Sequence, residues 1–196
     1  MQRLPIEAQH IDQAKALIQR FNAGVLAGDM ADMERSEKEY NALVQHLNGG
    51  THIGVNADEH APACVLMRAC AAAPGSVPLW GQSGEFLVQA QGISALVTID
   101  AYPGGTFQSA GFNFHAIDPY LPFISDTGFR SCFVTQRMKI SVQEATTKII
   151  LDALEEKKRR VMVAPEYRSK VKMPAWLQAI PSVGVVHDQR GQFALF

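Results

Sequence analysis

Cysteine is scarce: Cys64, Cys70 and Cys132 are the three in 196 residues. An odd number at irregular spacing argues against a disulfide framework and for a reducing compartment. Long apolar runs are missing too. No stretch of about 18 residues is apolar enough for a membrane-spanning helix. The opening MQRLPIEAQHIDQ turns polar within six residues, so it lacks the apolar heart of a signal peptide. These absences predict a cytoplasmic protein with no membrane partner. Nucleotide-loop glycines are absent in their usual pattern: AYPGGTFQSAG, 101–111, fits neither G-x-x-x-x-G-K-[ST] nor G-x-G-x-x-G, and it joins expected strands instead of opening a helix. No G-x-S-x-G occurs, nor any internal repeat or low-complexity tract. No cofactor is implied.

What is present is a globular composition, 47% hydrophobic and 19% charged, in a chain long enough to bury roughly 70% of its unfolded surface. The net charge of −1 hides an asymmetry. Residues 1–129 carry 6 Lys+Arg against 13 Asp+Glu, whereas residues 130–172 carry 11 against 5. Such a distribution marks either a surface for a polyanion or two segments that attract each other within one fold.

Ile11, Ala14, Ile18, Phe21 and Val25 recur at spacings of three and four, one apolar stripe on a helix. Gly28-Asp29 supplies a stop and a new N-cap, and Met33, Tyr40, Leu43, Val44 and Leu47 outline a second helix ending at Asn48-Gly49-Gly50. The pair reads as an antiparallel helical hairpin. THIGV, 51–55, reads as a short strand, and a third helix is expected over about 62–72, with Pro62 in its first turn. From Glu85 the period becomes two, and Gln91-Gly92 turns one strand into the next. The glycine-bearing 102–105 turn leads into TFQSAGFNFHAI, where Phe112 and Phe114 share one face while Asn113 and His115 take the other. Ser141 with Glu144 forms a capping box for a helix over 141–158. A proline-bearing loop with a helical turn around Trp176 follows, and VGVVHDQRGQFALF closes the chain as a C-terminal β-hairpin. The fold class is therefore α+β: an N-terminal helical hairpin plus a mainly antiparallel sheet with one long helix packed on it. The expected organisation is a single domain, 1–196, with a helical subregion over 1–73 and the sheet with its helix over 85–196. PGSVPLWGQSG, 74–84, is the one plausible linker.

His60, Cys64 and Cys70 offer metal donors, but Cys70 lies six residues beyond Cys64, on another side of a helix, and no fourth ligand is evident; the expectation is no metal. Cys132 with His115 or His187 is a conceivable nucleophile pair, yet Cys132 sits in a strand-like run and reads as a buried thiol. HAIDPYLPFISDTGFRS, 115–131, has two readings. In the catalytic one, for a small hydrolase or transferase, His115 is acid and base, Asp118 or Asp126 orients it, and Arg130 binds a phosphate or carboxylate. In the structural one, Asp126 satisfies the loop and pairs with Arg130, while prolines and aromatics pack a corner. EEKKRR, 155–160, ends a helix, where cations suit the dipole. Arg130, Arg137, Lys139, Lys157, Lys158, Arg159, Arg160, Arg168, Lys170 and Lys172 together make a cluster able to meet a phosphate backbone or an acidic protein. No helix-turn-helix or zinc finger is visible.

The string PFISDTGFRS, 122–131, resembles a run found in small uncharacterised accessory proteins of bacterial plasmids and other mobile elements. The resemblance implies an accessory role, such as countering a host defence system or regulating transfer, in which binding matters more than catalysis. The functional expectation is a non-enzymatic binding protein. Its partner would be a protein or nucleoprotein complex, with nucleic acid contact and dimerisation through the helical hairpin as further options.

Overall fold

The computed structural model describes residues 3–100, 109–135, 139–157 and 160–178. Two helices open the fold, α1 at Ala8–Ala27 and α2 at Met30–Leu47, followed by α3 at Pro62–Ala69. Gly28 adopts φ +78°, a left-handed cap that side chains other than glycine resist, and its N–H donates to the Val25 carbonyl at 3.2 Å. Asp29 then caps α2 by accepting from the Asp32 N–H at 3.0 Å. The hairpin is closed by one cap on each side of a two-residue joint. Its core holds Ala14, Leu17, Ile18, Leu43, Val44 and Leu47, with Leu66 of α3 packed in.

THIGV is a run of turns, not a strand. The Asn48 side-chain amide donates to the Thr51 and Ile53 carbonyls, both at 2.9 Å, and Gly54 sits at φ +76°, so the backbone groups a strand would need are taken locally.

Four antiparallel strands form the main sheet in the order β1-β2-β3-β5: β1 Gly84–Ala90, β2 Ile93–Asp100, β3 Ser109–Ala116 and β5 Phe129–Thr135. Gln91 and Gly92 both have positive φ, 46° and 74°, the geometry of a two-residue hairpin turn whose twist matches its strands. Between β3 and β5 lies β4, Pro122–Phe123, which leaves the main sheet and pairs with β6, Val161–Met162. Strand parity separates two faces. Phe86, Val88, Val97, Ile99, Phe112 and Phe114 are buried on one, against Ala145, Ile149 and Ile150 of α4, Val142–Lys157. Each such buried side chain contributes about 1.5–3 kcal/mol.

The α4 capping box forms as its sequence predicts: Glu144 accepts from the Ser141 N–H at 2.7 Å, and the Glu144 N–H donates to Ser141 Oγ at 3.2 Å. The 74–84 stretch departs from a linker. Trp80 is 1% exposed, its indole N–H donates to the Ile140 carbonyl at 2.8 Å, and its backbone N–H donates to Asn22 Oδ1 at 3.1 Å. Phe21, Val25 and Met33 of the helical pair belong to the same apolar cluster as the sheet and α4. A 3-10 helix, Pro165–Lys170, and the short α5, Ala175–Gln178, follow β6. The expected C-terminal hairpin over 183–196, the 102–105 turn, Arg137, Lys158 and Arg159 lie outside the described residues.

Candidate nucleic-acid interface

The 115–131 segment is a braced corner. Asp118 accepts from the Tyr120 N–H at 2.8 Å, Ser125 Oγ accepts from the Thr127 N–H at 3.3 Å, and Thr127 Oγ1 donates to the Phe129 carbonyl at 2.9 Å. The Asp126 carbonyl accepts from the Ala164 N–H at 2.8 Å, tying the corner to the chain after β6. Asp126 thus holds the corner through its backbone, and the expected carboxylate pair with Arg130 does not form. Arg130 reaches Glu156 of α4 at 3.3 Å. The reason is register: Arg130 stands opposite Phe114 and so shares the core face, while His115 stands opposite Phe129 on the outer face. The structure does not bring His115, Asp126 and Arg130 together as an acid-base group.

On the outer face, the segment after β6 crosses the end of β3 and β5 and leaves a cleft of about 310 Å³. His115, Thr127 and Phe129 form one wall, and Tyr167, Lys170 and Lys172 the other. The rings of His115 and Phe129 lie 5.0 Å apart, tilted by 52°. Burial pulls the His115 pKa below its usual 6.5, with nearby Glu85 opposing the shift. The Lys170 ammonium lies over the Tyr167 ring at 4.9 Å. Arg168 donates to the Val163 carbonyl at 3.1 Å and stacks on the exposed Tyr120 ring at 5.1 Å.

Two further cations, Arg160 and Lys139, stand apart from this cleft. Arg160 lies against Gly92 at the β1–β2 turn, and the Lys139 stem lies over Gly28 at the α1–α2 joint. Cys132 shares the core face with Phe112, opposite to His115, and burial raises its pKa. His60 is exposed and Cys70 is buried with its thiol toward the Ile11 carbonyl at 3.9 Å; among the described residues no cluster of three or more metal donors forms. No helix among the described residues is long and apolar enough to cross a membrane.

Residues 2–69, which span α1 to α3, match the family model described as the KlcB N-terminal DNA-binding domain. Residues 83–169, from β1 into the 3-10 helix, match that of the KlcB third domain. The chain is homologous to KlcB. Two Escherichia coli relatives, each called Protein KlcB, are 43% identical over 170 residues and 36% identical over 161. The alignments cover 85% and 82% of this chain but 42% and 34% of those relatives, so the chain spans less than half of their length. No solved structure matches.

From its residues alone, the chain offers a basic surface over 137–172 to a phosphate backbone or an acidic protein and gives the helical hairpin to scaffolding. Charge explains why. Residues 2–69 carry 6 Lys+Arg against 9 Asp+Glu. Arg3 pairs with Asp58 at 2.9 Å, Arg20 with Asp32 at 2.8 Å, and Arg35 with Asp32 at 3.7 Å, while Arg68 donates to the Glu59 carbonyl. The helical unit has no basic stripe to signal a DNA-binding surface.

Proposed function

We propose that this chain is a non-enzymatic DNA-binding accessory protein of a plasmid or other mobile element. In this reading the helical unit of residues 2–69 addresses duplex DNA, and Arg137, Lys139 and residues 157–160 supply phosphate contacts. The observation that carries it is the match of residues 2–69 to the KlcB N-terminal DNA-binding domain. Electrostatics supports dividing the work between the two segments. Phosphate neutralisation supplies much of protein–DNA affinity, and a helical unit of net negative charge whose arginines are largely paired has little to spare. Lys139 stands at the meeting point: its N–H donates to the Val25 carbonyl at 2.8 Å, at the foot of α1.

Fluorescence anisotropy with labelled duplex DNA tests this reading. Wild type binds at low salt, and reversing Lys157, Lys158, Arg159 and Arg160 to Glu weakens binding by at least about tenfold while flattening the salt dependence by about 0.9 for each phosphate that is no longer neutralised. No duplex binding by wild type at about 50 mM salt, where such interactions are strong, sinks the reading. Unchanged affinity in the reversed variant removes residues 157–160 from the interface.

A further inference from the structure

The cleft on the outer face of the sheet is unused by the duplex contact just described. We propose that it binds one nucleotide of an unpaired nucleic-acid strand, with the base against Phe129 and His115 and the phosphate between Lys170 and Lys172. The inference shares with the proposed function the idea of a nucleic-acid partner, but it concerns a different site and a different form of the ligand.

Size, shape and chemistry converge on that ligand. About 310 Å³ is at the small end of ligand sites and suits a single nucleotide. Phe129 is 44% exposed at the mouth, beside His115, which makes a stacking platform on an open sheet face. Among the described residues no carboxylate lines the cleft and Lys170 and Lys172 have no carboxylate partner, so the wall is free to take an anion. The imidazole, largely neutral near pH 7 because burial lowers its pKa, presents one donor and one acceptor to a base edge. Gly128, also in the lining, adopts φ +72°, and a Cβ there would sit 3.3 Å from the Val171 side chain and 3.5 Å from that of Val163, so the close approach of the two segments needs glycine at this point. In a duplex the base faces are already stacked, so a ring platform inside a cleft selects an unpaired base. An acidic peptide would use the lysines and leave the rings idle, which makes it the weaker fit.

Titration of the full chain with a short labelled oligothymidine strand decides the matter. Wild type binds; Phe129→Ala weakens binding about tenfold, as loss of one stacked base predicts, whereas Phe129→Tyr restores it. Lys170→Glu with Lys172→Glu also weakens binding and flattens the salt dependence by about 0.7, the share of the one single-strand phosphate left without its lysines. Competition by thymidine monophosphate shows that a free nucleotide suffices; competition by the strand alone shows that neighbouring nucleotides are required, and both support the site. Duplex binding by Phe129→Ala stays at the wild-type level, so failure here is distinguishable from failure of the proposed function. Equal oligothymidine affinity in wild type and Phe129→Ala overturns the inference. So does displacement by polyglutamate that is indifferent to Phe129→Ala, which marks an acidic-peptide groove.

Discussion

His115 shows how much one side chain's setting depends on strand parity. Its neighbours Phe114 and Ala116 are buried in the core, while it faces outward between Leu96 and Phe129 in register. There it is half-buried, and desolvation of the imidazolium lowers its pKa below 6.5. The sign of the stability effect follows. An unfolded chain takes up the proton near pH 6.5, and the folded one does so at lower pH, so between the two values the unfolded state binds more protons. Stability from this residue is complete above 6.5 and is lost as pH falls through the folded pKa, after which it levels. His115→Gln should remove that share of the acid sensitivity. Urea midpoints of wild type and variant, measured from about pH 7.5 to about pH 5, should differ by an amount that changes with pH in this window; a constant difference would show that His115 titrates alike in both states. Arg130, close to it in sequence, shows the same parity rule from the other side, since one position along β5 from Phe129 puts it on the core face and within reach of Glu156.

At the scale of elements, the α1–α2 crossing depends on a position with no side chain to announce it. Gly24 is buried where the two helices meet, and a Cβ there would lie 2.9 Å from Met33 Cγ, with the Asp29 carbonyl and the Met33 N–H both at 3.2 Å. Met33 can swing aside, but the two backbone atoms cannot move without opening the hairpin. Gly24→Ala gains up to about 1 kcal/mol of helix propensity and loses about 1–3 kcal/mol to overpacking. We expect a net loss of up to about 2 kcal/mol, read as a lower urea midpoint with an unchanged slope; a variant more stable than wild type would mean that the helices part freely. Elements with a sustained period were legible from residues alone. The three-and-four spacing of Ile11 to Val25, the Ser141–Glu144 box and the Gln91-Gly92 turn each correspond to an observed feature. Those carried by two residues were not: β4 and β6 are too short to show periodicity, and their pairing joins positions about forty apart. The candidate cleft was half legible. Parity set His115 outward, but the wall carrying Tyr167, Lys170 and Lys172 arrives from a segment whose sequence reads as loop, and only folding puts it opposite.

For the whole molecule, the decisive residue is Trp80, because it turns the stretch that reads as a linker into a junction. It meets α1 through Asn22, the start of α4 through the Ile140 carbonyl, and the sheet through Phe112, whose ring it approaches edge-on at 6.1 Å and 79°. Phe21, Val25 and Met33 complete an apolar cluster that runs from the helical pair into the sheet without a break. Two segments matched by separate KlcB domain models are therefore packed here through one core. A shared core has a thermodynamic signature. If removing the helical pair would expose Phe112 and Trp80, neither part gains by unfolding first, and the chain should lose helix and sheet in one transition. Far-UV circular dichroism, which reports mainly the helices, and tryptophan fluorescence, which includes Trp80 at the junction, should give the same urea midpoint. Phe21→Ala sharpens the test, since it deletes about 3–5 kcal/mol of packing on the helical side. Both signals should shift together to lower urea. A shift in the circular dichroism signal with the fluorescence midpoint left in place would mean that the helical unit comes away from an intact sheet, and that Trp80 seals the sheet without coupling it to the helices.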